Sequence, residues 1–242
     1  MAHEQPGFLA NKAWVVGSIG DPAALRDGTA SGILQCCDIA EIRLDVLLGQ
    51  GVEPVRALWQ HLAGLPLLFT ARRDDEGGAM KLAAAQRSSL LAAALDDAAC
   101  IDVEVASHLA MSDILAEAKH RNIPWIASYH DFEKLPATAT LAEAAQQARA
   151  AGAAVFKVAA QLNSLAEVLR LAEFQLSQQG LPLATMGMGT LAPASRLLCA
   201  QCGSVLNYGY LGNSPTAPGQ WDCGLLKQAL NRSLQPARLA RP

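Results

Sequence analysis

Aromatic residues are scarce in this chain, at 5% of 242 residues, and charged residues account for only 17%. So little charge excludes a disordered, self-repelling chain, and the 51% of hydrophobic residues supply enough apolar surface for a large core. Lysines and arginines number 19 against 22 aspartates and glutamates, a net charge of −3, and the basic residues nowhere gather into a run. The electrostatic footprint of a nucleic-acid or membrane-surface binder is missing, so the expected partner is a small molecule. No apolar run reaches the length of a membrane span, and Met1 to Pro6 lack the basic and apolar regions of a secretory signal. A cytoplasmic location is expected. The cysteines, Cys36, Cys37, Cys100, Cys199, Cys202 and Cys223, are scattered. Cys199 and Cys202 form a CxxC, but no second CxxC or HxxxH follows at zinc spacing, so reduced buried thiols are expected rather than a metal site.

What the chain does have is one alternating pattern. Short β-branched and apolar runs at Ala13 to Ile19, Ile39 to Leu44, Leu67 to Ala71, Ile101 to Val105, Trp125 to Tyr129, Ala154 to Ala159, Leu183 to Met188 and Val205 to Tyr210 read as eight strands. Between them, alanine- and leucine-rich stretches such as Ala83 to Leu95, Met111 to His120, Leu141 to Ala150 and Leu165 to Gln178 have helical spacing. Near-continuous apolar strands alternating with helices suit a parallel sheet covered by helices, and eight such units without a linker point to a (β/α)8 TIM barrel. A single barrel domain over residues 1–242 is expected; an open doubly wound sheet is the alternative. Ser112 with Asp113, Thr140 and Ser164 are placed to begin helices, while Gly152 and Gly180, the latter followed by Pro182, are placed to end them.

In a parallel barrel the C-terminal strand ends converge on one mouth, so polar residues there are candidates for chemistry. Glu41 and Arg43 alternate within the second strand and share a face. Arg72 and Glu76 follow the third strand, ahead of Gly77 and Gly78. His130 ends the fifth strand, and Lys157 lies inside the sixth, between Phe156 and Val158. The other lysines occupy helix, loop or terminal positions. Apolar surroundings favour the neutral, nucleophilic amine, although a lysine that extends its stem along the core and sets its charge at the rim explains the position as readily. A lone strand-end histidine is likewise more often a packing residue, but beside a carboxylate and an amine it suits proton transfer. Arg196 and the loop Thr216 to Gln220 together offer a guanidinium, a hydroxyl and an amide for a carboxylate. Gly187 to Ala192 fits the GxGxxA form of a dinucleotide fingerprint, yet no acidic residue ends the next strand to meet a ribose, and the glycines are better read as close packing.

In chain order, Glu41-Ile42-Arg43-Leu44-Asp45, Phe69-Thr70-Ala71-Arg72 through Glu76-Gly77-Gly78, Asp102-Val103-Glu104, Ser128-Tyr129-His130-Asp131-Phe132, Lys157-Val158-Ala159, and Met186-Gly187-Met188 with Ser195-Arg196 and Ala217-Pro218-Gly219-Gln220 resemble the type I 3-dehydroquinate dehydratase family. The resemblance implies a shikimate-pathway lyase that dehydrates 3-dehydroquinate through an imine, with Lys157 as nucleophile, His130 as acid and base, and Glu76 tuning the imidazole. It implies that Arg196 and Gln220 hold the substrate carboxylate with Thr216 nearby, that Glu41, Arg43 and Arg72 orient its hydroxyl-bearing face, and that Met186, Met188 and Tyr208 line the pocket. A homodimer and the absence of any metal or organic cofactor are implied as well. The chain departs from the usual pattern: Thr216 stands for a common serine, Tyr208 for a phenylalanine, Gly187 sits where serine is frequent, and the segment before the first strand is short for the family's N-terminal hairpin. A different Schiff-base barrel enzyme, such as a class I aldolase, shares the lysine logic but makes or breaks a carbon–carbon bond; a non-catalytic descendant would bind the metabolite without turnover. Protein purified without chelator is expected to contain no stoichiometric metal by elemental analysis and to keep its activity in EDTA; one tightly held zinc per chain contradicts the reading of the cysteines.

Overall fold

Eight parallel strands close around a common axis in the computed structural model, in which residues 13–177 and 179–233 are described. Strand β1 (Trp14–Ile19) is followed by α1 (Pro22–Asp27) and α2 (Ala30–Cys36), and β2 (Ile39–Arg43) runs directly into α3 (Leu44–Gly49). The remaining units are β3 (Leu67–Thr70) with α4 (Ala84–Ala94), β4 (Cys100–Glu104) with α5 (Ser112–His120), β5 (Trp125–Asp131) with α6 (Thr138–Ala150), β6 (Val155–Gln161) with α7 (Leu165–Leu176), β7 (Leu183–Met188) with α8 (Ala192–Gln201), and β8 (Leu206–Leu211) with α9 (Cys223–Ser233).

The ladder runs β7-β6-β5-β4-β3-β2-β1-β8, parallel at every step. Its two ends meet where the Val205 N–H donates to the Leu183 carbonyl at 3.0 Å. Beyond that bond, side chains stand in for the missing rungs of the seam. The Thr185 and Gly187 N–H groups donate to Ser204 Oγ (3.2 Å) and Ser195 Oγ (3.0 Å), and Arg196 Nη1 donates to the Tyr208 carbonyl (2.7 Å). Buried backbone polar groups must find partners, and here the α8 side of the barrel provides them. The barrel, not the open sheet, is the fold.

Strand alternation sorts the core into two. Val15, Ala40, Phe69, Ile101, Ala127, Phe156 and Val158 face the helices and join one large cluster. Their neighbours Val16, Ile39, Leu68, Cys100, Ile126, Val155, Ala184 and Leu206 fill the barrel interior in a second cluster, one residue from each strand. Two residues further along each strand, the same inward face changes character: Ser18, Glu41, Thr70, Asp102, Ser128, Lys157, Met186 and Tyr208, all buried. An apolar floor therefore supports a mostly polar layer, and that layer is the base of the functional site.

Helix ends follow the expected chemistry in part. Ser164 caps α7, accepting from the Glu167 N–H, and Gly152 ends α6 at a φ of 79°. Thr140 does not begin α6; the helix starts at Thr138 after Ala137, so Thr140 lies inside the first turn. Met111 is the N-cap of α5, leaving Ser112 and Asp113 as its first helical residues. Helix α7 ends at Leu176, ahead of Gly180, which takes a φ of 73° in the following turn. The short segment that bears on the N-terminal hairpin falls within residues 1–12 and lies outside the described residues.

Gly187 has a specific reason. A Cβ at this position would overlap Leu162 Cδ1 and Ser195 Oγ, and that same Ser195 hydroxyl takes the Gly187 N–H. The space that a side chain would use is filled by a serine from α8. Gly187→Ser is therefore expected to lower stability in urea unfolding by about 1–3 kcal/mol through overpacking. Adding Ser195→Ala should recover part of that loss, and a strictly additive double mutant would refute the shared-space explanation.

Candidate active site

All twelve residues singled out in the sequence line one cavity at the C-terminal mouth of the barrel, together with Ser18, Gly77, Phe132, Ala159 and Ala217. Lys157, on β6, is 3% exposed, and its Nζ lies 2.6 Å from Asp102 Oδ2 and 4.4 Å from the centre of the Tyr208 ring. Burial pulls its pKa below the ordinary lysine value; Asp102 and Glu41 oppose the fall, and Arg72 adds to it. Asp102 belongs to the Asp102-Val103-Glu104 run, but its place against Lys157 and Arg72 is visible only in the structure. Burial alone would raise its pKa, but Arg72 and Lys157 outweigh that effect and hold its carboxyl well below the usual carboxylate range.

Arg72 is occupied on its inner side. Its Nη1 lies 2.9 Å from Asp102 Oδ1 and 3.0 Å from Glu104 Oε1, and Ser128 Oγ donates to Asp102 Oδ1 at 2.6 Å. Across the mouth, Arg43 makes a bidentate pair with Asp45 (3.0 and 2.8 Å) and donates to the Gly77 carbonyl at 3.1 Å. Glu41 accepts from Ser18 and from Thr70 Oγ1 (2.7 Å). These carboxylates and guanidiniums are fixed by partners before any ligand arrives, which is the condition for a preorganised site.

His130 stands on β5, whose register sets Ser128 beside Lys157 and His130 beside Ala159. The Glu76 carboxylate accepts from its backbone N–H (2.9 Å) and contacts Nδ1 (3.0 Å). Burial drives the imidazole pKa well below its ordinary value, with Arg72 and Lys157 reinforcing the shift. The neutral tautomer with its proton on Nδ1 satisfies Glu76 and leaves Nε2 as a base. Glu76 is itself pushed up to about 7 by burial, against the pull of Arg72.

Arg196, on α8, is 2% exposed and reaches Met186 Sδ (3.5 Å) as well as the Tyr208 carbonyl. Among the described residues no carboxylate pairs with it, its Nε has no hydrogen-bond partner, and burial pulls its pKa down to about 10. A buried guanidinium without a counter-ion is a site for an anion. Gln220 Oε1 accepts from the Thr216 N–H (2.9 Å) and Oγ1 (2.8 Å), which turns the N–H donors of its amide the other way. Gly219, at a φ of 71°, brings this loop against the end of β7, where the Gly189 N–H donates to the Pro218 carbonyl at 3.2 Å. A Cβ at Gly187 would meet Leu162 and Ser195, and one at Gly189 would meet Gln161, so close packing accounts for both glycines. Among the described residues no group of three or more His, Cys, Asp or Glu is arranged to hold a metal ion, and no helix is long and apolar enough to cross a membrane.

The closed barrel and its buried lysine, set among fixed charges and an unpaired arginine, define a (β/α)8-barrel enzyme. The family model for type I 3-dehydroquinase matches residues 26–235, and the chain belongs to that family of lyases. It is 34% identical over 208 residues to a 3-dehydroquinate dehydratase of Shouchella clausii, a match covering 80% of each chain. Among solved structures it superposes on the 3-dehydroquinate dehydratase of Geobacillus kaustophilus with a TM-score of 0.80 at 25% identity, covering 94% of this chain and 93% of the other. The type I enzyme of Clostridium difficile, solved with covalently modified comenic acid, matches with a TM-score of 0.76 at 25% identity, covering 91% and 92%.

The raised Glu76 pKa has a thermodynamic consequence. The folded chain holds a proton at Glu76 that the unfolded chain, with a pKa near the ordinary 4.5, has already released. This contribution to stability is complete below about pH 4.5 and is lost as the pH rises toward 7. Glu76→Gln should remove that slope and be more stable than the parent at pH 8 by on the order of 1–3 kcal/mol, while turnover falls because the imidazole loses its charged partner. Urea unfolding of both proteins between pH 4.5 and pH 8 measures this; parallel stability curves would contradict the assignment.

Proposed function

We propose that this lyase dehydrates 3-dehydroquinate to 3-dehydroshikimate, a step of the shikimate pathway, through an imine on Lys157. The observation that carries the reading is the position of Lys157: among the described residues it is the only lysine lining the cavity, and it sits where burial favours the neutral amine. The amine attacks the substrate ketone, and the carbinolamine loses its hydroxyl as water, leaving a cationic imine whose counter-ion is Asp102. That cation withdraws electrons from the neighbouring C–H bond. His130 removes the proton through Nε2, the resulting enamine expels the β-hydroxyl, and His130 returns the proton to the departing oxygen as water leaves. Water then hydrolyses the imine and frees Lys157.

Glu76 holds the imidazole tautomer and supports the charge that His130 acquires. Arg196, with Gln220 and Thr216, takes the substrate carboxylate, which supplies the counter-charge that the guanidinium lacks. Glu41, Arg43 and Arg72 face the hydroxyl groups, and Met186, Met188 and Tyr208 pack against the ring. Thr216 keeps the hydroxyl of the family serine. No metal or organic cofactor is needed, because the protonated imine is the electron sink. The type I enzyme of Clostridium difficile, solved with covalently modified comenic acid, is in keeping with a covalent route in this family.

Incubation with 3-dehydroquinate should raise the ultraviolet absorbance of a conjugated enone. Borohydride added with substrate should leave a reduced adduct on the Lys157 peptide in the parent enzyme and none in Lys157→Ala, which should also lose turnover. His130→Ala should retain the nucleophile, so an adduct is expected despite severely reduced product formation. Peptide mass spectrometry locates the adduct; an active Lys157→Ala protein, or an adduct on another lysine, would falsify the imine assignment.

A further inference from the structure

Arg87 lies on α4, outside the cavity, and is only 4% exposed. Its guanidinium bonds Glu104 Oε2 through Nη1 and Ser107 Oγ through Nη2 (2.9 Å). The other Glu104 oxygen accepts from Arg72 Nη1 (3.0 Å) and from the Arg73 backbone N–H (3.1 Å). Arg72 continues to Asp102, and Asp102 to Lys157. Five buried side chains thus form a row of alternating charge from the outer helix to the amine: Arg87, Glu104, Arg72, Asp102, Lys157.

We propose that Arg87 is a positioning residue for Lys157: by clamping Glu104 it keeps Arg72 shared between Glu104 and Asp102, so that the Asp102 carboxylate is divided between Arg72 and Lys157. The proposal rests on the imine reading and deepens it. Without Arg87, Glu104 has one guanidinium left and draws Arg72 toward itself. Asp102 then belongs to Lys157 alone, which favours the ammonium, the form that cannot attack a ketone. The charged and titratable groups facing the amine are Asp102 and Cys100 of β4, Arg72 beyond β3, Glu41 of β2, His130 of β5 and Tyr208 of β8. An Arg87 substitution changes none of them chemically, so a shift in the amine's behaviour reports their rearrangement.

The readout is the rate at which 3-dehydroquinate and cyanoborohydride label the Lys157 peptide as a function of pH. In Arg87→Met the acid limb of that profile should move up by roughly one pH unit, giving about tenfold slower labelling below the limb. Arg87→Met with Glu104→Gln removes the competing carboxylate and should bring the limb back toward the parent position. A purely structural role would lower the yield of folded enzyme and leave the limb in place. A folded Arg87→Met with the parent's limb, or a double variant that keeps the shifted limb, overturns the proposal. If Arg87→Met does not fold, Arg87→Lys decides: a point cation cannot span Glu104 and Ser107 as the fork does, so its limb should move part of the way, and an unmoved limb again overturns the proposal. Failure of the parent enzyme to label at Lys157 at any pH would instead sink the imine reading.

Discussion

The carboxylate of Asp102 is the contact on which the interior of this barrel depends. It is fully buried, and one of its oxygens meets Arg72 while the other meets Lys157. Remove it and two cations would be left in a low-dielectric interior without the anion they share, a loss of the kind that costs about 3–5 kcal/mol for a broken buried pair. With it in place, Arg72 and Lys157 are paired in the strand layer above the apolar floor, where the buried Tyr208 hydroxyl alone among the layer's side chains has no hydrogen-bond partner. Ser128 and Glu104 complete the set, tying β4, β5 and the loop after β3 into one hydrogen-bonded unit.

The seam between β7 and β8 shows a second coupling of structure and site. A parallel barrel must close its last edge, and here side chains from α8 and the turn after it take several of those positions. Arg196 is one of them. Its donation to the Tyr208 carbonyl holds the guanidinium inside the barrel wall, where it is buried and, among the described residues, has no carboxylate partner. The same bond that helps to close the fold therefore creates the unpaired cation at the mouth.

The parts legible in the sequence are those governed by local periodicity. Period-two alternation put Glu41 and Arg43 on one face, and the strand boundaries read from apolar runs fall within one or two residues of β1 to β8. Ser164 was readable as a cap because its hydroxyl is the first polar oxygen ahead of an apolar-periodic helix; Thr140 was not, because Thr138 precedes it and the helix begins there without a side-chain cap. Asp102 shares an alternating face with Glu104, as Glu41 does with Arg43, but its meaning depends on a lysine 55 positions away across the barrel. Arg87 gave no signal. On an alanine-rich helix an arginine reads as a solvent-facing charge, and only the fold brings Glu104 beneath it.

Lys157 and His130, the two groups proposed to react, occupy different levels of the same wall. Lys157 is in the buried middle layer, where desolvation and Asp102 pull its protonation in opposite directions. His130 is two residues further along the neighbouring strand, nearer the rim, and takes its partner from the loop after β3 rather than from Asp102. The residue beside it on β6 is Ala159, whose small side chain leaves the volume above the amine open. Lys157, Ala159 and His130 thus border the same space. Strand register sets the offset between the proposed nucleophile and base, while burial is the main cause that lowers the pKa of each, and the Lys157 charge adds to the fall at His130, so the two protonation states are coupled.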